Sequence, residues 1–308
     1  MATFDLGPER RTLHGHFSRD LPPVLTIDSG DTVRLTTLDS AWGAYPPAGA
    51  TVGLPPADVV RDKELDAGHA LIGPIAVRGA EPGMTLEVQI GALRPGPWGN
   101  TWTSHRLPWY RYLNVERFTA TQWTLDAARE TATSNKGFRV ATRPFLGVMG
   151  NAPAEPGRHP TAPPRMVGGN IDCKELVSGS TLWLPITVAG ALFSAGDGHA
   201  LQGDGEVAGT AIEAPFELAE LTLVLRPEMK LLAPRADTPA GWLTFGLGKT
   251  LDDATAAALT AMLDLMGERY NLSRDDALML ASLVVDLRIT QIVNGVVGVH
   301  AVLPHGAL

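Results

Sequence analysis

Turn-forming residues cut this 308-residue chain into short pieces, with 33 glycines and 24 prolines spread along its length. Glycine allows sharp backbone turns, and proline interrupts both helices and central strands. Such a chain therefore favours many turns and many short strands. The stretches between them agree. Residues 24–27 and 32–36 alternate around Asp28-Ser29-Gly30-Asp31 and predict a hairpin. Glu81-Pro82-Gly83-Met84 ahead of residues 85–90 repeats the same logic, as an internal echo of one unit. Residues 216–225 alternate as a half-buried strand, and Asn294-Gly295 between β-branched runs is a strong hairpin signal.

Helices are expected only near the C-terminus. Leu259, Met262, Leu263, Met266 and Tyr270 fall at helical spacing behind a cap at Asp252 or Asp253. Ser273 with Asp276 forms a capping-box pattern for a second helix. The expected fold is mainly β (α+β): a sandwich or barrel-like core of short strands, with a C-terminal helical pair over about 252–286 and a final hairpin, in one domain of residues 1–308. Residues 94–160 are the least regular part. Their tryptophans, from Trp98 through Trp102 to Trp109, would line a pocket or pack a loop onto the core or a neighbouring subunit.

Composition excludes several classes. A net charge of −8, with no basic run interleaved with aromatics, argues against nucleic-acid binding. The polar N-terminus is not a signal peptide, and no apolar run reaches the roughly 18 to 20 residues of a membrane helix. One cysteine, Cys173, rules out an internal disulfide and fits a cytoplasmic, reducing setting.

The chemistry concentrates in two clusters. Gly196-Asp197-Gly198-His199-Ala200-Leu201-Gln202-Gly203-Asp204-Gly205-Glu206 sets three carboxylates and an imidazole among four glycines, between apolar flanks. Charges so crowded repel one another unless a cation neutralises them or they handle protons. Upstream, Gly168-Gly169-Asn170-Ile171-Asp172 places two oxygen donors two residues apart.

The run containing both clusters resembles the acetamidase/formamidase family. The resemblance is carried by Pro163-Pro164-Arg165, Gly168-Gly169-Asn170-Ile171-Asp172, residues 176–185, Gly190-Ala191-Leu192-Phe193-Ser194, Gly196-Asp197-Gly198-His199, residues 202–206 and Gly209-Thr210-Ala211-Ile212-Glu213. Weaker echoes at Gly73-Pro74-Ile75, residues 79–83 and residues 285–291 extend it over nearly the whole chain. The resemblance implies a metal-dependent hydrolase of small aliphatic amides that releases ammonia and a carboxylate, and a homo-oligomer. Many relatives carry Glu in the place of Arg78 and Asp in the place of Met84. An altered pocket wall there would admit a larger amide or a carbamate.

Amide hydrolysis needs a nucleophile, charge stabilisation for the oxyanion and a proton for the leaving nitrogen. A divalent ion supplies the first two, and a carboxylate handles the proton. Asp172, Asp197 and His199 are the expected ligands, with His14 completing the sphere. This nitrogen and oxygen mix suits zinc, with calcium as a second or structural ion. Glu206, Asp204 and Glu81 are candidates for proton transfer, and Asn170 or Gln202 for holding the substrate amide. The competing reading is a non-catalytic, metal-bearing amide-binding protein. A thiol mechanism could use only Cys173, and Ser178-Gly179-Ser180 lacks the setting of a serine amidase nucleophile.

Overall fold

A computed structural model of the chain describes residues 1–62, 64–103, 107, 110–115 and 117–308. One of the residues singled out in the sequence, Trp109, lies outside them.

The architecture is mainly β, as expected. A nine-stranded sheet runs in the order Thr3–Leu6, Asp31–Leu35, Phe216–Arg226, Thr85–Pro95, Thr181–Pro185, Arg235–Thr238, Gly241–Gly248, Val297–Leu303 and Asp286–Gln291. A second sheet orders Gly168–Asn170, Phe145–Gly150, Phe193–His199, Leu71–Val77 and Leu13–His14, with Leu25–Ile27 also paired to Leu71–Val77. One continuous core joins the two: Val33, Leu86, Val88, Leu221 and Leu223 from the first sheet meet Ile72, Ile75, Leu146, Met149 and Phe193 from the second. A four-stranded sheet from Trp98–Trp102, Ala120–Asp126, Thr131–Ser134 and Arg139–Ala141 covers one end.

The N-terminal hairpin predicted from residues 24–36 does not form, although both of its strands do. Leu25–Ile27 runs parallel to Leu71–Val77 in the second sheet, whereas Asp31–Leu35 pairs with Thr3–Leu6 and Phe216–Arg226 in the first. The intervening turn is closed by Asp28 and Asp31, with the Asp28 N–H donating to Asp31 Oδ2 at 3.0 Å and the Asp31 N–H to Asp28 O at 3.1 Å. It hands the chain from one sheet to the other. The segment around Glu81 does the same, since Leu71–Val77 lies in the second sheet and Thr85–Pro95 in the first. The echo in sequence is thus an echo in topology: both units cross between sheets, and both second strands flank Phe216–Arg226.

Near the C-terminus, Leu251–Tyr270 and Arg274–Val284 are helical. The first is capped by Thr250, whose hydroxyl accepts from the Asp253 N–H, and not by Asp252 or Asp253, which sit in its first turn. Ser273 caps the second as predicted, accepting from the Asp276 N–H. Met262, Leu265 and Met266 pack onto Val299, Ala301 and Leu303 of the last strand. That strand closes the predicted final hairpin with Asp286–Gln291.

Candidate metal centre

The centre is built on Phe193–His199, which is buried along its whole length. It pairs with Phe145–Gly150 on one side, through Phe145↔His199 and Val148↔Gly196, and with Leu71–Val77 on the other, through Gly196↔Leu71. Asp197 and His199, two apart, reach the same place above Gly147 of the neighbouring strand. Asp172 joins them from the loop after Gly168–Asn170, where its N–H donates to Gly147 O at 3.2 Å. A Cβ at Gly147 would lie 2.6 Å from Asp172 Oδ1, 2.6 Å from Asp197 Oδ2 and 2.8 Å from His199 Cε1. Glycine is therefore required there to leave a cradle between the three side chains.

Asp172, Asp197 and His199 each offer a ligand atom within 4.8 Å of the others, and so do His199, Glu206 and Glu213. All five are buried. Asp172, Asp197 and Glu206 have positive φ angles of 53°, 58° and 48°, a region costly for residues with a side chain. Three members of one cluster thus share an uncommon backbone conformation.

The hydrogen bonds define how His199 is presented. Gln202 donates its Nε2 to Asp172 O at 2.8 Å, which fixes the orientation of its amide. Its Oε1 then faces His199 Nδ1 at 2.9 Å, so Nδ1 carries the proton. Nε2, on the far side of the ring, lies 3.4 Å from both Asp197 Oδ1 and Glu213 Oε2. Those two oxygens and Asp172 Oδ1 are buried without a hydrogen-bond partner. Unpaired buried oxygens are costly, and a cation would satisfy them together. The donor set, one imidazole nitrogen with several carboxylates, fits zinc or a similar transition ion.

Electrostatics follow from burial. Burial pushes Asp172 up to about 8, with the charges of Asp197 and Glu213 adding to it. Burial likewise drives Glu206 well above the usual carboxylate range, and Asp172 reinforces the effect. For Asp197 burial again opposes ionisation, but His69 and His199 outweigh it and hold this carboxyl below its ordinary value. His199 is raised despite burial, because Glu213 and Asp197 favour its charged form. Without a cation, this cluster must retain protons.

The residues expected from sequence separate into two groups. Asp172, Asp197, His199 and Glu206 come together. Asn170 is beside them, buried, with Nδ2 donating to Ala162 O at 3.1 Å and Oδ1 unpaired. Gln202 is adjacent, with Oε1 on His199 Nδ1 and Nε2 donating to Asp172 O. His14 is buried elsewhere with both nitrogens occupied: Nδ1 donates to His16 O at 2.7 Å and Nε2 accepts from Ser194 Oγ at 3.0 Å. Asp204 is exposed and paired with Lys174 at 2.9 Å. Glu81 is an exposed turn residue past the far end of Leu71–Val77. Arg78 pairs with exposed Asp28 at 2.8 Å, and Met84 packs against the core, so neither departure from the family pattern reaches the site. Cys173 is fully buried and its thiol is pushed up by burial, the opposite of an activated nucleophile.

Three residues of the site carried no role in the sequence reading. Glu213 holds Oε1 on the Ala211 N–H at 2.7 Å and aims Oε2 at His199. Its place at the end of the Gly209-Thr210-Ala211-Ile212-Glu213 run was the available signal. Asp39 is fully buried with Oδ2 unpaired, and burial pushes it up to about 7, Glu213 and Asp197 contributing. Asn294 donates to Asp172 Oδ2 at 2.6 Å. A cleft of about 620 Å³ has a wall that includes Ser40, Tyr45, His69, Trp102, Arg158 and Thr161.

The family model described as the acetamidase/formamidase family matches residues 5–160 and 157–305. A formamidase of Methylophilus methylotrophus is 30% identical over 251 residues, covering 63% of this chain and 59% of the relative. An acetamidase of Mycolicibacterium smegmatis is 27% identical over 254 residues, covering 63% and 61%. The chain thus spans about three fifths of the length of the curated relatives it matches. The crystal structure of an acetamidase from Bacillus halodurans superposes with a TM-score of 0.85 at 26% identity, covering 97% of each chain. On the match over nearly its full length, and on a fold shared with that acetamidase, this chain belongs to the acetamidase/formamidase family.

Proposed function

We propose that this protein is a metal-dependent amidohydrolase that cleaves a small aliphatic amide of the formamide or acetamide type into ammonia and a carboxylate. The observation that carries the reading is the gathering of unpaired buried oxygens of Asp172, Asp197 and Glu213 around His199. The names of the relatives supply the substrate class.

In this reading Asp172, Asp197, His199 and Glu213 hold a divalent ion, with zinc the best match to the donors. Bound there, such an ion would supply an acidified water and polarisation of the substrate carbonyl. Glu206 accepts the proton of the attacking water and passes it to the nitrogen as the C–N bond breaks, a role its raised affinity for protons suits. The free Oδ1 of Asn170 accepts from the substrate N–H. Gln202 and Asn294 keep the ligands aligned, which in metal sites is worth roughly 10- to 100-fold in affinity.

The test is ammonia release from formamide, acetamide, propionamide, a carbamate and urea, before and after chelation and metal return. Turnover that disappears with chelator and is restored by one transition metal supports the reading. Calcium binding alone, with no turnover on any amide, would favour the non-catalytic alternative.

A further inference from the structure

The run from Val285 to Gln291 carries part of the resemblance in sequence, yet none of its side chains enters the ligand set. Three of its residues contact the segments that do. Arg288 Nη1 donates to Glu175 Oε1 at 2.9 Å, on the loop that carries Asp172. Thr290 O accepts from the Gly205 N–H at 3.1 Å, and Gly205 O accepts from the Ile292 N–H at 3.2 Å. The residue before Glu206 is thereby held against the strand. Gln291 acts differently: its side chain folds onto the turn of its own hairpin, and that turn carries Asn294.

Gln291 is fully buried. Its Oε1 accepts from the Val293 N–H at 2.9 Å and from the Asn294 N–H at 3.2 Å, and its Nε2 donates to Val296 O at 2.7 Å. A backbone N–H only donates and a carbonyl only accepts, so the amide has one orientation. Its register partner across the hairpin is Gly298, where a Cβ would come within 3.7 Å of Nε2. Among the described residues, no backbone–backbone hydrogen bond joins residues 293–296 to one another. Turns often close through a backbone bond between their ends; here one buried side chain takes its place. Asn294 sits between the bonded ends, and its own amide reaches Asp172 Oδ2.

We propose that Gln291 is a positioning residue of the metal centre: by closing the turn through both ends of its amide it fixes Asn294, and Asn294 holds the Asp172 carboxylate. The effect on metal rests on the reading of the centre above; the hold on Asn294 does not. Partners that orient metal ligands are worth roughly 10- to 100-fold in affinity. Gln291 acts one bond further out, so its loss should cost about 10-fold, the lower end of that range. Residues 292–294 and 296 are half-buried and Gly295 is exposed. Water can therefore serve the backbone groups of the turn when the amide is removed, and the fold should persist.

The test has two arms and uses the full chain. Hydrogen exchange of the metal-free wild type should show the Val293 and Asn294 amides protected, although neither has a backbone partner. Exchange of both at the rate of an open chain would overturn closure by Gln291. The side-chain ¹H–¹⁵N signals of Asn294, assigned by their loss in Asn294→Ala, should be displaced by the Asp172 contact and move toward free-amide positions in Gln291→Met. Unchanged signals in that variant overturn the hold on Asn294. The second arm measures zinc affinity by chelator competition. Gln291→Met should bind zinc about 10-fold more weakly. The double variant Gln291→Met/Asn294→Ala should bind no more weakly than Asn294→Ala alone, because the two residues act in series. A merely structural role would lower the melting temperature and add its full effect in the double variant. Wild-type zinc affinity in Gln291→Met, or additive losses, overturn the positioning role. A wild type that binds no zinc would refute the reading of the centre and the positioning role with it, while the first arm still decides whether Gln291 holds Asn294.

Discussion

Asn294, in the turn of the final hairpin, donates its side-chain amide to Asp172 Oδ2 at 2.6 Å across 122 positions of sequence. The bond leaves Asp172 Oδ1 as the unpaired oxygen that faces the cradle. The last hairpin thus does more than close the nine-stranded sheet: its turn orients a carboxylate held by the other sheet.

Asn294→Ala should leave the fold intact, because Gly295 with its φ of 76° remains to make the turn. Metal affinity should fall about 10- to 100-fold through loss of the orienting bond. Competition with a calibrated chelator measures it, and unchanged affinity would remove Asn294 from the site.

Gly147→Ala should be folded but metal-poor. Its methyl group would stand 2.6 Å from two of the carboxylate oxygens, inside the space an ion needs. Overpacking typically costs about 1–3 kcal/mol, which a domain of this size tolerates. Metal analysis with a melting curve separates the two effects; full occupancy at normal stability would contradict the cradle.

Glu213→Gln and Asp204→Asn are predicted to differ sharply. Glu213 aims an unpaired oxygen at His199, so its amide variant should lose metal and most turnover. Asp204 makes an ion pair near the surface, an interaction worth about 1 kcal/mol or less, so its variant should stay within about twofold of wild-type rates. The reverse ranking of initial rates would restore Asp204 as the proton carrier.

Acid should destabilise the protein through His14 and His300. Burial lowers both to about 4 from an ordinary 6.5. A depressed histidine is neutral in the fold and charged in the unfolded chain between those values. Its stabilising contribution is therefore complete above about pH 6.5 and is lost as pH falls toward 4, by about 3 kcal/mol per histidine at the limit. Urea unfolding at stepped pH should show this decline, and His14→Asn should flatten it; a parallel slope in the variant would count against His14.

Cys173→Ser should retain turnover, because the thiol is fully buried and held protonated. Loss of activity with fold and metal intact would bring the thiol mechanism back.

Much of this was legible in the chain because local chemistry decides it. Glycines and prolines set short strands, Ser273 and Asp276 announced a helix start, and Asn294-Gly295 announced the last hairpin. Asp197, His199 and Glu206 could be chosen because they lie within one glycine-rich segment, and Asp172 because its own segment shows the same density of glycine and oxygen donors. Asp204 shares that segment but is exposed and paired with Lys174, and Gln202 bonds His199 and Asp172 through its amide.

Tertiary structure alone decided the rest. The residues 24–36 carry a correct strand pattern, but alternation states which face is buried and not which partner a strand meets; the turn at Asp28 and Asp31 sends the two strands into different sheets. Asp39, Glu213 and Asn294 are ordinary residues in their local segments, and only the packing of two sheets brings them to the cluster. The sequence by itself determined the secondary structure, the family and the segments that carry the chemistry. Which side chains meet, which oxygens stay unpaired and which nitrogen of His199 faces Asp197 and Glu213 were decided by long-range pairing, because those properties belong to distances between segments and not to any segment alone.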